Sequence, residues 1–286
     1  MSDESQYIQK QGIFVPRRQP RHRNDEYDET GFELLIRMQR EHFWYRGRHK
    51  FLLTVLKREI ARTFGNAGGL QAMDMGGGCG GWLEYLHAHE PAIFHELALG
   101  DSSLRALSLA GPVVGPFADR YQIDLLNLAW SEKWDVVFLL DVLEHIPNHV
   151  DVLHQVRASL RPGGLLFVTT PALNFFWTYN DELAHHQRRY SRNDFLEIGK
   201  QAGLELLRAN YFMFFLSPAL MISRIFFRPS MFAAPEQVQK HLARTHRIPP
   251  KSINQLLAGF FSMEANTIDR VNLPWGTSIL AVFRRE

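Results

Sequence analysis

Most of the residue types that would narrow this chain's function at once are scarce. Cysteine occurs once in 286 residues, at Cys79, which excludes an internal disulfide framework and any zinc site built from several thiolates, and predicts a reducing, cytoplasmic setting. Charge of one sign is equally scarce: 32 Lys and Arg against 30 Asp and Glu leave a net +2, so no overall field argues for nucleic acid as a partner. A bilayer span needs roughly 20 predominantly apolar residues. The longest apolar stretch, residues 211–227, is shorter and is broken by Pro218 and Arg224; it predicts a strand end plus a buried or interfacial helix, leaving peripheral membrane contact open. The opening MSDESQYIQK shows no basic-then-apolar leader pattern, so export is not expected. Internal repeats and low-complexity segments are missing as well.

What is present is a globular balance, with 45% hydrophobic residues, enough for a sizeable core. Residues 1–30 are polar, with PRRQPRHR followed by NDEYDE, and read as a flexible arm. Residues 31–66 carry apolar side chains at helical spacing, from Phe32 and Leu35 to Val55 and Ile60, and predict two helices forming an N-terminal lid. From residue 67 to 286, short apolar runs alternate with helical stretches. LQAMDM, FHELALG, the segment before Asp124, WDVVFLL, GGLLFVTTP, LELLRANYF and WGTSILAVFRR read as seven strands. Strand–helix alternation implies right-handed βαβ units, and hence an α/β fold with a doubly wound, Rossmann-like, mostly parallel sheet. Residues 217–271 are too many for a turn and predict a helical cap inserted before the last strand.

The first strand runs into Asp74-Met75-Gly76-Gly77-Gly78-Cys79-Gly80-Gly81. Glycines let backbone amides approach a ligand closely, and the following helix N-terminus favours hydrogen-bond acceptors. Any nucleotide-binding sheet could start this way. The spacing, however, is acid-first with alternating glycines, unlike the dinucleotide pattern G-x-G-x-x-G. Asp101 closes the second strand, where a carboxylate can accept both ribose hydroxyls of an adenosine, and Asp124 ends the third. The fourth strand ends in Leu140-Asp141-Val142-Leu143-Glu144-His145-Ile146, and Leu160-Arg161-Pro162-Gly163-Gly164 announces the fifth.

In that order and at those spacings, DMGGGCG, GDSS, DLL, DVLEHI and LRPGG resemble the class I S-adenosylmethionine-dependent methyltransferases. The resemblance covers roughly residues 70–210 and implies S-adenosyl-L-methionine as cofactor. It implies that Gly76, Gly78 and Gly80 cradle the methionine and ribose portion while Asp74 organises the turn. It further implies that Asp101, with Ser102 beside it, binds the ribose, that Asp124 and Leu125 contact adenine, and that Leu140 and Asp141 border the methyl donor. Gly77 departs from the pattern and is expected to loosen the turn. EHFWYRGR, HHQRRYSRNDF and LPWGTSILAVFRR narrow the likeness to a bacterial subgroup acting on small metabolites, lipids or peptides. Trp44, Tyr45, Arg46 and Arg48 are expected to close over the cofactor, the arginine meeting the methionine carboxylate; an aromatic anchor holding the first helices on the sheet is the alternative.

Methyl transfer asks the protein mainly for alignment, with a base where the acceptor is a hydroxyl or ammonium. His145, beyond the fourth strand, is the first candidate base, with a packing role as its alternative. His185, His186, Arg188, Arg189 and Tyr190 form the densest polar cluster, expected either to hold an anionic acceptor such as a carboxylate or to be a solvated loop with ion pairs to Asp181 and Glu182. No metal site is expected, because adjacent histidines such as His185 and His186 point apart on regular structure. Phe175, Phe176 and Trp177, with Phe212, Phe214 and Phe215, read as pocket floor or plain core. The expected function is methylation of an oxygen on a small metabolite or peptide. The alternatives are N- or C-methylation of a lipid or quinone-like acceptor, or cofactor binding without catalysis; an NAD-dependent oxidoreductase is disfavoured by the glycine spacing.

Overall fold

The computed structural model describes residues 6–18, 20, 31–65, 68–218, 221–222, 247–267 and 272–286. Nine described strands form one sheet: β1 (Tyr7–Lys10), β2 (Ile13–Pro16), β3 (Leu70–Met75), β4 (Phe94–Asp101), β5 (Asp119–Gln122), β6 (Trp134–Leu140), β7 (Leu160–Pro171), β8 (Leu204–Phe212) and β9 (Ser278–Arg285). Their spatial order is β1-β2-β5-β4-β3-β6-β7-β9-β8, parallel from β2 to β7 and antiparallel at both ends. The α/β, doubly wound architecture is the expected one, with two strands more than the seven read from the sequence.

The extra strands correct the expectation of a flexible arm over residues 1–30. Gln11 and Gly12 both take positive φ, 51° and 74°, the geometry of a two-residue hairpin turn matched to strand twist. The hairpin joins the β5 edge, where Phe14 stacks on Tyr121 at 4.7 Å and Tyr7 on Trp130 at 5.7 Å between ring centres. Residues 21–30 lie outside the described residues.

β6 shows why the central strands form. WDVVFLL is buried throughout except at Asp135, the nearly unbroken apolar run required of a parallel strand covered on both faces. Val136, Phe138 and Leu140 enter one core, and Val137 and Leu139 the other. On the first face lies α2 (Phe43–Phe64), which follows α1 (Phe32–Glu41). Its Leu52, Val55 and Leu56 are fully buried, each contributing about 1.5–3 kcal/mol. The helices α3 (Gly81–His89), α4 (Leu104–Leu109), α5 (Gly111–Val114), α6 (His149–Ser159), α7 (Tyr179–Leu183) and α8 (Arg192–Ala202) complete the crossovers.

Of the expected cap, α9 (Lys251–Thr267) is described; residues 219–220, 223–246 and 268–271 lie outside the described residues. It packs on α2 where Gly47 permits close approach, since a β-carbon there would stand 2.3 Å from Phe261 Cγ. Asn254 of α9 ties the α1–α2 junction, accepting from Phe43 N at 2.8 Å and donating to Glu41 O at 2.7 Å. Glu264 accepts from Met213 N and Phe215 N after β8. Among the described residues no helix is long and apolar enough to cross a membrane.

Candidate active site

Chain order runs outward from β3 through β4 to β5 in one direction and from β6 to β7 in the other. The reversal between β3 and β6 is the switch point where open α/β sheets bind ligands beyond their strand C-termini. A cavity of about 400 Å³ opens there, roofed by α1 and α2.

The glycine turn after β3 forms its floor. Gly76 and Gly77 donate to Gly100 O at 2.7 and 3.3 Å, binding the turn to β4. Gly76 has φ 78°, and a β-carbon there would meet Val142 at 2.6 Å. Gly77 does not loosen the turn as expected: a β-carbon would stand 2.3 Å from Asp74 Oδ2 and 2.5 Å from Leu99. Gly77 is required sterically. Gly80 lies outside the cavity lining and acts as the left-handed N-cap of α3.

Three of the acids bordering the cavity stand at or just beyond the ends of β3, β4 and β5. Asp101 accepts from Gly78 N at 2.9 Å and Ser103 N at 2.8 Å, so the end of β4 and the turn after β3 are one rigid unit. Asp74 is buried, with no hydrogen-bond partner for Oδ1 among the described residues. Burial, opposed by Arg48 and reinforced by the Asp101 charge, pushes its carboxyl up to about 7. Asp124 is exposed at the rim, accepting from Leu126 N at 3.0 Å, with Ile123, Leu125 and Leu126 beside it in the lining. Ser102 and Leu140 line the cavity too.

From the roof, Arg48 reaches down to Asp141, Nη1 to Oδ2 at 2.7 Å, while Thr169 donates to Asp141 Oδ1 at 3.1 Å. The Arg48 guanidinium lies 5.0 Å from the Trp44 ring centre and 5.8 Å from that of Tyr45. Trp44 and Arg48 both line the cavity. Asp141 takes φ 59°, a costly conformation for a non-glycine residue and one that concentrates at functional sites.

Beyond Asp141 a single 3₁₀ turn, Leu143–His145, carries Glu144 and His145 to the cavity wall. Burial, with the Asp141 charge beside it, holds the Glu144 carboxyl well above the usual carboxylate range. His186 arrives from the segment after α7, its ring centre 4.8 Å from that of His145. The expectation of no metal site rested on His185 and His186 being neighbours. His186 instead converges on Glu144 and His145, the three ligand atoms lying within 4.8 Å of one another.

The rest of the polar cluster is framework, contrary to the expectation that it faces the acceptor. Arg189 is paired with buried Asp181 at 2.8 Å and donates to Ala172 O. Burial alone would raise the Asp181 carboxyl, but hydrogen bonds from His186 and Arg189 hold it well below the usual range. Arg188 donates to Ile146 O and Pro147 O. Tyr190 is buried, its hydroxyl donating to Leu143 O and lying 2.6 Å from His149 Nδ1. His185 is exposed and absent from the lining. These five residues lie within one short stretch of sequence, but only His186 of them lines the cavity; cations left in a partly apolar wall without partners would be strongly disfavoured.

The aromatic run is not a pocket floor either. Phe212 is core, stacked on Phe51 at 4.8 Å, Phe176 is buried outside the lining, and Phe175 and Phe215 are exposed. Lining residues missed in the sequence include Phe32, Leu35 and Gln39 of α1, His49 of α2, Trp82 of α3 and Ile146. The helical pattern gave the face of α1 but not what it covers.

A family model described as a methyltransferase domain matches residues 41–209. The ubiquinone biosynthesis O-methyltransferase of Bordetella pertussis is 32% identical over 113 residues, 39% of this chain and 46% of that protein. The chain thus matches less than half the length of that relative. The phosphoethanolamine N-methyltransferase 2 of Haemonchus contortus, solved with S-adenosyl-L-methionine, shares the fold at TM-score 0.51 and 15% identity, covering 80% of this chain and 51% of that one. A geranyl diphosphate methyltransferase solved with GPP and sinefungin gives TM-score 0.51 at 11% identity, covering 81% and 78%.

Proposed function

This chain belongs to the class I S-adenosylmethionine-dependent methyltransferases, and from that premise we propose that it transfers a methyl group from S-adenosylmethionine to an oxygen of a small acceptor. The residues present fit the cofactor. Asp74 offers a buried carboxylate oxygen with no hydrogen-bond partner among the described residues, suited to an ammonium, on a turn where neither Gly76 nor Gly77 has room for a β-carbon. Above all, Asp101 is held by two backbone amides at the cavity edge, which presents its carboxylate as an acceptor for a pair of ribose hydroxyls.

When bound, the cofactor supplies an electrophilic methyl group on a sulfonium with a neutral thioether as leaving group. The protein's part is binding and alignment. Asp101 accepts from the ribose, Asp124 with Leu125 and Leu126 borders adenine, and Asp74 and Arg48 face the charged amino-acid end. Trp44 and Tyr45 hold the Arg48 guanidinium in place, and α1 and α2 act as the lid that excludes water. Excluding water strengthens each of these electrostatic contacts. On the far side, Val142, His145 and Ile146 border the acceptor, with His145 within the lining as the candidate base.

Oxygen is favoured as the acceptor atom by the likeness to O-methyltransferases of ubiquinone biosynthesis. The apolar side chains of Phe32, Leu35, Trp44 and Ile146 in the lining suit an apolar or aromatic body. The test is to incubate the protein with S-adenosylmethionine and a panel of phenols, catechols, carboxylates and amines, following the mass of each acceptor. A one-methylene mass gain on the hydroxyl compounds supports the proposal; gain confined to amines, or to none, refutes it.

A further inference from the structure

We propose that Glu144, His145 and His186 form a binding site for a divalent transition-series cation of the zinc type, with its open coordination positions facing the cavity. The last step of the argument, that an acceptor oxygen occupies one of those positions, rests on the oxygen-methylation reading above.

The donor set comes first. One ligand atom from each of the three side chains lies within 4.8 Å of the others, against about 3.4 Å between ligand atoms around a tetrahedral zinc, so small side-chain rotations close the set. Two imidazoles and one carboxylate suit zinc and its neighbours, whereas magnesium prefers a shell made of oxygen. Three protein ligands with one position left open is the arrangement of a catalytic site, not a closed structural one. All three residues border the same cavity as the glycine turn.

The second observation is independent of that spacing. Glu144 is completely buried, and neither carboxylate oxygen is hydrogen-bonded by another residue among those described. Buried polar groups left in that state are rare and ask for an explanation, an ion being one of the few available. Neighbouring Asp141 offers none, because its own partners are Arg48 and Thr169.

Third, His186 is already oriented as a ligand. Its Nδ1 lies 2.9 Å from Asp181 Oδ1, which leaves Nε2 as the remaining donor atom. A metal-binding histidine ordinarily bonds a carboxylate through its other nitrogen in this way. Asp181 is in turn fixed by Arg189 and by Thr178 N at 2.6 Å. A backbone bond from Gln187 N to Glu144 O at 2.7 Å fastens the His186 segment to the 3₁₀ turn. The Arg189–Asp181 pair thus acquires a role as a positioning unit for His186.

With His145 serving as a ligand in place of the base named above, an acceptor hydroxyl bound at the open position would release its proton to solvent more readily and keep the electron pair for attack on the methyl carbon. The O–H bond breaks, an O–C bond forms, and the sulfur takes the electrons of the S–C bond.

The experiment uses the full chain in a tag-free preparation, stripped with a chelator and titrated with Zn²⁺ alone by calorimetry, with metal per chain counted by plasma mass spectrometry after gel filtration. One equivalent is expected, bound at least tenfold more tightly than Mg²⁺. Glu144→Gln and His186→Ala should each weaken Zn²⁺ binding by tenfold or more, and Asp181→Asn by about 10–100-fold. His185→Ala, one residue away and exposed, should leave it unchanged. If a variant fails to fold, Co²⁺ bound to the wild-type chain decides, a tetrahedral visible absorption band being expected. Failure to retain Zn²⁺, or stoichiometric binding that survives both Glu144→Gln and His186→Ala, overturns the site. Methyl transfer that continues undiminished in the chelated enzyme would remove the metal's role while leaving the reaction class standing.

Discussion

Replacing Asp101 by alanine separates a ligand-binding carboxylate from a merely structural one. In the folded protein this side chain already accepts from Gly78 N and Ser103 N at 2.9 and 2.8 Å. Its removal therefore acts on the scaffold and on the ligand at once. The scaffold loss is small, because the amides border an open cavity and water can replace the carboxylate; about 1–2 kcal/mol is expected, a fall of a few degrees in Tm. The ligand loss is larger, since charge-assisted bonds to the ribose hydroxyls contribute about 1.5–3 kcal/mol, a roughly ten- to hundredfold rise in Kd for S-adenosylmethionine. Calorimetry on the folded variant, with thermal denaturation alongside, reads both. Asp101→Asn should fall between, because one oxygen survives but its amide group must face a backbone donor. A folded Asp101→Ala protein that binds within twofold of wild type would refute the ribose assignment.

Three further perturbations follow from the geometry. Gly76→Ala places a β-carbon 2.6 Å from Val142 at φ 78° and should cost about 1–3 kcal/mol in denaturant unfolding while abolishing cofactor binding; Gly163→Ala, with φ 79° and open space, is the control for φ strain alone. Arg189→Ala leaves Asp181 buried without its cation and should cost about 3–5 kcal/mol by chemical denaturation, against about 1 kcal/mol for Arg188→Ala, whose partners are carbonyl oxygens; equal losses would contradict the framework role of Arg189. Asp74 is raised to about 7, so the folded state holds a proton that the unfolded chain releases near pH 4; stability should decline between about pH 4 and 7 and level off above, less so in Asp74→Asn, with Arg48 and Asp101 as the charged groups facing it and Glu144 contributing in the same direction. Over the same rise in pH, S-adenosylmethionine should bind more tightly, as measured by calorimetry at pH 6 and pH 8.

The parts legible in the sequence are those where one local rule decides. Asp74, Gly76, Asp101 and Asp124 stand at strand ends, and a parallel sheet places its strand ends together, so motif order alone located them. Tyr7–Lys10 and Ile13–Pro16 were illegible because four-residue strands carry too little alternation, although Gln11-Gly12 between Ile8 and Ile13 was the available hairpin signal. The cluster His185 to Tyr190 misled for a different reason. An ion pair to Asp181 is one of the two readings, but charge alone does not show that Asp181 is buried and takes both Arg189 and one nitrogen of His186. The convergence of His186 on Glu144 and His145 depends on a contact across about 40 residues, closed by the Gln187–Glu144 backbone bond, and no spacing rule encodes it.

The most direct test of the account is a calorimetric titration of the full chain with S-adenosylmethionine, using NAD⁺ as the control on the same nucleotide-binding sheet. The cavity at the β3–β6 switch point predicts one equivalent of S-adenosylmethionine bound per chain and no heat from NAD⁺. Binding of NAD⁺ instead, or of neither ligand by a folded preparation, would contradict it.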